Sequence, residues 1–127
     1  MVRPHGVERF AWENAKSEAR EAMIAAARSA KGTITYDELA SQIRSLRLEP
    51  VSLALRELLG EISFAEDMAG RGMLSVVVVH QSGDGLPGHG FFTLARGLGR
   101  DTSNQEKLWA AEFARVREAW KITQSEN

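Results

Sequence analysis

Apolar positions recur with a helical period through the first quarter of the chain. Alanines return every three or four residues over Ala11–Ala30, and Phe10 and Met23 fall on the same face. Charged residues fill the opposite face, as on a solvated helix surface. The pattern predicts a helix from about Val7–Ser29, ended by Gly32, which suits the left-handed position after a helix.

A second, shorter helix is predicted directly after that glycine. The pair at 33–34 is β-favouring and predicts a short extended piece. Thr35 and Glu38 then have the spacing of a capping box, in which each side chain accepts from the other residue's backbone N–H. Apolar residues continue at helical spacing, so we expect this helix to end near Arg47.

A third helix is predicted after Pro50, a residue that suits the first turn of a helix. Apolar residues keep helical spacing up to Ile62. Gly60 interrupts the pattern and predicts either a break or a close helix contact. The glycines at 70–72 stop the helix.

The segment Met73–His80 is the clearest predicted strand. Its run Val76–Val79 does not alternate with polar residues, which indicates that both faces of the strand are buried. A glycine-rich loop is predicted over Gln81–Gly90. The apolar residues of Phe91–Leu98 fit either a strand or a short helix, and the pattern does not decide between them.

The last predicted helix follows a second capping-box pattern at Ser103–Glu106. It carries a stripe with spacing i, i+4, i+7 and i+11, made of Trp109, Phe113, Val116 and Trp120. Such a stripe is most simply part of the core. Aromatic residues are also enriched at the centres of protein interfaces, so an interface remains an alternative.

This order of elements predicts an α+β fold. The chain has 127 residues, of which 43% are hydrophobic and 26% charged, as expected for one globular domain spanning 1–127. Up to the glycine-rich loop the order is that of a winged helix. We therefore expect a winged-helix-like core over about 32–95 with a small β-sheet, framed by long N- and C-terminal helices.

Part of the chain resembles the alkylguanine-DNA alkyltransferase-like family. The stretch Gly32–Ala40 resembles the beginning of that family's winged-helix domain, Ala54–Gly60 its DNA-facing helix, and Val78–His80 its active-site strand. The resemblance implies a winged-helix fold. The family's acceptor cysteine precedes a histidine, and Val79 stands in that place here, so alkyl transfer is excluded. The whole chain also resembles small bacterial proteins with a similar loop and last helix, a resemblance that implies no function.

Composition narrows the remaining classes. The absence of cysteine excludes disulfides and thiolate chemistry. The N-terminus lacks the apolar run of a signal peptide, and no apolar run is long enough to cross a membrane. We expect a cytoplasmic protein that needs no cofactor and does not associate with a membrane.

One group of residues has the side chains of a metal site. His80, Asp84 and His89 lie at the end of the long predicted strand and in its loop, and imidazoles and carboxylates are legitimate zinc ligands. Their spacing matches no known metal signature, and polar residues are common in any turn. The loop has no Lys or Arg to accompany its glycines, so a phosphate-binding loop is disfavoured. An ordinary turn is the favoured interpretation.

Charge disfavours DNA as the main partner. The net charge is −1, and residues 49–67 carry five acids against one arginine, where a recognition helix would need positive charge. The candidate phosphate contacts are Arg44, Arg47, Arg96 and Arg100. They would form a binding surface if the fold gathers them on one face.

These observations favour a non-catalytic binding module. A protein partner is slightly favoured over DNA, for which weak binding is expected. The alternative is a small metal-dependent hydrolase or nuclease centred on His80, Asp84 and His89. The oligomeric state stays open.

Overall fold

The computed structural model describes residues 8–81 and 85–121, and in these ranges the chain is mostly helical. The elements, in chain order, are α1 (Arg9–Arg28), β1 (Ile34–Thr35), α2 (Tyr36–Gln42), α3 (Leu53–Met68), a 3₁₀ helix (Leu74–Val77), β2 (Val78–Val79), α4 (His89–Gly97) and α5 (Gln105–Trp120). The expected α+β class is therefore correct only in its small sheet and its long terminal helices.

Helix α1 lies at the centre of the molecule and packs against α2, α3, α5 and the 3₁₀ helix. Ala15 and Ala19 are completely buried, and small side chains at these positions let the neighbouring helices approach closely. Trp12 is also buried, and its indole Nε1 donates to the Glu61 carboxylate of α3 at 3.2 Å. Ala15, Ala19, Ala22 and Ala26 thus mark the core face of α1, as predicted, whereas Phe10, which was expected on the same face, is 71% exposed.

The sheet consists of β1 and β2, paired in parallel with Ile34 opposite Val78 and Thr35 opposite Val79. The predicted capping box begins α2 immediately after β1, with the Glu38 N–H donating to the Thr35 hydroxyl and the Thr35 N–H to the Glu38 carboxylate. Because the helix starts at once, β1 cannot extend and the sheet remains two residues long.

Helix α2 ends at Gln42, earlier than the predicted Arg47. The carboxylate of Glu18, on α1, accepts hydrogen bonds from the backbone N–H groups of Arg44 and Ser45 at 2.9 and 2.8 Å. These contacts replace the acceptors that a longer helix would have supplied.

Helix α3 begins after Ser52, whose hydroxyl accepts from the Leu55 N–H, so the prediction that Pro50 lies in its first turn is wrong. The helix also continues through Gly60 without a break. The open space around the Gly60 Cα shows that no close contact requires a glycine there.

The prediction of a long strand over Met73–His80 is wrong. Only Val78 and Val79 are extended, and the preceding four residues form a 3₁₀ helix. Side chains replace the ladder partners of this segment: the Met73 N–H donates to Glu112 and the Ser75 N–H to Ser63 Oγ. The predicted burial is confirmed, because each valine of Val76–Val79 is less than 10% exposed.

The C-terminal third contains two helices. The segment left open by the sequence forms α4, not a strand. Helix α5 is capped by Asn104, which accepts from the Lys107 N–H, so the capping box placed at Ser103–Glu106 is wrong. The most buried positions of α5 are Leu108, Glu112 and Val116. The aromatic residues of the predicted stripe are only half buried, although they pack against the core.

Ion pairs connect α3 to the C-terminal part of the chain. Arg100 makes a two-pronged contact with Asp67, at 2.6 and 3.0 Å, and also donates to Glu112. Glu66 is buried and accepts from Arg71 at 2.7 Å and from Arg20 at 3.1 Å.

No helix in the described ranges combines the length and the apolarity needed to cross a membrane.

Candidate functional site

The parallel pairing of β1 and β2 brings Tyr36 and His80 together. Each follows the last paired residue of its strand, so both lie at the same end of the sheet. Their rings are tilted by 35° and their centroids are 5.0 Å apart. Residues at the carboxyl ends of parallel strands frequently form binding sites, because the chain turns away there and leaves a crevice.

The segment after β2 folds back to the same end of the sheet. The His80 N–H donates to the Leu86 carbonyl at 3.1 Å, which holds Leu86 beside the end of β2. The Gly88 N–H donates to the Tyr36 hydroxyl at 2.8 Å and fixes the start of α4 beside the two rings. A Cβ on Gly88 would lie 3.2 Å from the Tyr36 oxygen and 3.4 Å from His80 Nε2. A glycine is therefore the residue that fits here without displacing a ring.

These elements enclose a cavity of about 210 Å³, here called the α3–α4 cavity. The apolar part of its lining comes from Leu55 and Leu59 of α3 and from Phe91 and Leu94 of α4. The polar part is formed by Tyr36, Ser52, Arg56, Ser75, His80 and the first residues of α4. A cavity with an apolar wall and a few convergent polar groups is the usual form of a ligand site.

Arg56 crosses the start of α4. A Cβ on Gly90 would lie 2.7 Å from Cγ and Cδ of Arg56, so the arginine stem rests directly against the glycine backbone. Tyr36 faces this arginine across the site. Burial raises the pKa of Tyr36 above its ordinary value, although the Gly88 N–H and the Arg56 charge act in the opposite direction. The Tyr36 hydroxyl is therefore protonated at neutral pH.

Ser75 supplies a second hydroxyl to the cavity. It is 5% exposed, and its Oγ accepts from Ser63 Oγ at 2.6 Å while its N–H donates to the same Ser63 oxygen. Two hydrogen bonds to Ser63, one through its hydroxyl and one through its own backbone N–H, therefore hold Ser75 in place at the cavity.

The predicted metal ligands are partly brought together. His80 and His89 line the α3–α4 cavity, whereas Asp84 lies outside the described residues. Within residues 8–81 and 85–121, no three His, Cys, Asp or Glu side chains are placed to hold a metal ion. Of the three predicted metal ligands, His80 and His89 therefore line the same cavity.

The predicted phosphate contacts occupy different surroundings. Arg44 and Arg47 are exposed and line one shallow depression after α2. Arg96 is exposed near the end of α4. The Arg100 side chain is 17% exposed, and its donors are occupied by Asp67 and Glu112. In the described part of the chain, Arg100 is therefore the one of the four whose guanidinium is paired with acidic side chains.

Sequence reasoning missed Tyr36 and Arg56 as site residues. Tyr36 was part of a helix cap and Arg56 the single cation on an acidic helix. A usable signal was present, because Thr35-Tyr36 and Val79-His80 each place a ring directly after a short β-favouring segment. Their pairing joins residues 44 positions apart, and hydrophobic periodicity carries no information on such a contact.

Comparison of the chain with protein-family models, curated proteins and solved structures finds no significant match.

Proposed function

We propose that this protein is a non-catalytic binding module and that the α3–α4 cavity receives one residue of a protein partner. The observation that carries the proposal is the cavity itself, with its apolar wall, its convergent polar groups and its volume of about 210 Å³. Pockets for whole drug-sized ligands usually hold about 300–1,000 Å³. This cavity is smaller and suits a single side chain better than a large cofactor.

The surroundings of the cavity also favour a protein partner. Val51 lines the cavity mouth and is 82% exposed, and Leu53, two residues further along, is 54% exposed. Adjacent exposed apolar side chains beside a pocket are typical of a surface that a partner covers.

The scaffold that we propose for this module is winged-helix-like. The order β1, α2, α3, β2 supports it, since it is the order of a winged-helix core, and α4 would then occupy the place of the wing. In that arrangement α3 is the helix available for recognition, as in many winged-helix proteins.

The proposal is tested by selecting peptide ligands from a random displayed library on the immobilised protein. Enriched peptides are then titrated against wild type and Gly88→Ala, whose new methyl group would narrow the cavity beside Tyr36 and His80. We expect at least tenfold weaker binding to Gly88→Ala, or roughly 1.4 kcal/mol. The matched control is Gly97→Ala, because a Cβ on Gly97 meets nothing within 4 Å. Failure to enrich any peptide, or equal binding to Gly88→Ala, contradicts the proposal.

A second candidate function is metal-dependent hydrolysis or nuclease activity centred on His80, Asp84 and His89. It is favoured by one observation, that His80 and His89 line the same cavity. Titration with Zn²⁺ by calorimetry tests it directly. This function requires that the protein binds Zn²⁺ stoichiometrically and that the binding is lost in both His80→Ala and His89→Ala. No heat of Zn²⁺ binding to wild type, or a heat of binding that is unchanged in both variants, contradicts this function.

A further inference from the structure

The described wall of the α3–α4 cavity carries basic groups and no acid. Arg56, His80 and His89 line it, and none of its described lining residues is an Asp or a Glu. This bias is local, since the whole chain has a net charge of −1. The guanidinium of Arg56 carries a fixed positive charge and favours a negatively charged group beside it.

Among the described residues, the Arg56 guanidinium is an unpaired cation. Across residues 8–81 and 85–121 its side chain makes no ion pair and no hydrogen bond, whereas Arg20, Arg71 and Arg100 are each paired with acidic side chains. Its stem lies against Gly90 and the residue lines the cavity, although Arg56 as a whole is exposed. Because the stem is already packed, binding a carboxylate orders fewer bonds of this side chain than it would for a fully solvated arginine.

The start of α4 adds backbone donors next to this arginine. His89 and Gly90 are its first two residues, and the N–H groups of a first turn have no acceptor within the helix. The N-cap, Gly88, has no side chain to accept from them, while α1, α2, α3 and α5 are all capped by side chains. The Tyr36 hydroxyl accepts from Gly88 and keeps its own proton to donate.

The apolar lining determines what else the ligand must contain. Leu55, Leu59, Phe91 and Leu94 present hydrocarbon, which a free phosphate or sulfate cannot use. We infer that the α3–α4 cavity binds an apolar group that carries a carboxylate, with the carboxylate at Arg56 and the start of α4 and the apolar group between α3 and α4. The inference rests on the proposed function and specifies the chemistry of the group that enters.

Two sources supply this chemistry. One is the C-terminal residue of a protein chain, whose carboxylate and apolar side chain are joined at one Cα, and C-terminal carboxylates are commonly captured by exposed backbone N–H groups. The other is a free branched or aromatic carboxylic acid. Both place the same atoms in the cavity, and the experiment below distinguishes them.

The test is titration of the ¹⁵N-labelled protein, followed by NMR, with two acid–amide pairs. The pairs are 4-methylpentanoate with 4-methylpentanamide, and acetyl-Gly-Leu with its C-terminal amide. We expect each acid that binds to shift the amide signals of His89 and Gly90 and to bind at least about tenfold more tightly than its amide. A C-terminal residue as the natural ligand predicts tighter binding of acetyl-Gly-Leu, and a free acid predicts tighter binding of 4-methylpentanoate.

Two variants locate the carboxylate. Arg56→Gln keeps most of the stem and removes the charge, and it should abolish the preference for acid over amide. Arg96→Gln changes an exposed arginine of the same surface type outside the cavity wall and should leave the preference intact. Equal binding of acid and amide, or a preference that survives in Arg56→Gln, overturns the inference while leaving the proposed function in place. Binding of neither acid overturns the inference as well, and the peptide selection then decides the proposed function separately.

Discussion

The carboxylate of Glu112 accepts a 2.8 Å hydrogen bond from the backbone N–H of Met73, in the segment that links α3 to the 3₁₀ helix. Glu112 is 5% exposed and also accepts from Arg100 at 3.1 and 3.3 Å. A buried acid on α5 therefore satisfies a backbone donor and balances a cation at the same time. The docking of α5 depends on this polar contact as well as on its apolar side chains.

We expect Glu112→Ala to destabilise the protein by about 3 kcal/mol, because it leaves the Met73 N–H and part of the Arg100 charge buried without a partner. Urea unfolding followed by circular dichroism measures the change. Glu118→Ala is the control on the same helix, since Glu118 is exposed and, among the described residues, pairs with Lys121, so the change should cost less than about 0.5 kcal/mol. Similar losses in the two variants would show that the buried contact is not important.

Acid should destabilise the protein through the carboxylates that face arginines. Hydrogen bonding to Arg71 lowers the pKa of Glu66, and hydrogen bonding to Arg100 lowers the pKa of Asp67. The unfolded chain therefore binds more protons than the folded one as the pH falls through the ordinary range of these groups, roughly 4 to 4.5. The free energy of unfolding should be at its full value above pH 5 and decline towards pH 3.

Urea unfolding at a series of pH values between 3 and 6 tests this expectation. Asp67→Asn removes one of the two titrating groups, so its free energy of unfolding should depend less steeply on pH than that of wild type. A stability that stays constant down to pH 3 would contradict the assignment of these ion pairs.

The pattern of apolar residues predicted much of this fold. The alanine face of α1, the Thr35–Glu38 capping box and the burial of Val76–Val79 were all predicted, since each depends on neighbours within a few residues. The strand over Met73–His80 was not predicted correctly. Its valines favour extended structure, but a partner strand of only two residues and side-chain acceptors from Ser63 and Glu112 decided its conformation.

The candidate site was predicted only in part. His80 and His89 were singled out because imidazoles are chemically distinctive, and both line the cavity. Tyr36 and Arg56 were missed because their importance comes from long-range contacts, the parallel pairing of β1 with β2 and the packing of Arg56 on Gly90. Neither contact leaves a periodic signal in the sequence.

Two glycines should respond in opposite directions to alanine. Gly60 lies within α3 and a Cβ there meets nothing within 4 Å, so Gly60→Ala should stabilise the protein by about 0.5–1 kcal/mol through helix propensity. Gly32 has a φ of +81°, and its Cβ would lie 2.7 Å from the Phe113 ring, so Gly32→Ala should be destabilising. Thermal unfolding of both variants measures the changes. A lower melting temperature for Gly60→Ala would indicate that the helix is strained at that position.

Binding to duplex DNA should be weak at physiological salt, no tighter than the roughly micromolar range of non-specific association. Specific binding first needs phosphate contacts that fix the protein's register, and Arg100 is occupied by Asp67 and Glu112. Arg44 and Arg47 are the adjacent exposed pair that remains.

Each neutralised phosphate adds about 0.9 to the slope with which the logarithm of the binding constant falls against the logarithm of the salt concentration, so two contacts predict a slope of roughly 2. Fluorescence titration of labelled duplex at two salt concentrations measures both quantities. Tight, sequence-selective binding that is lost in Arg44→Ala and Arg47→Ala would instead make DNA the partner of this module.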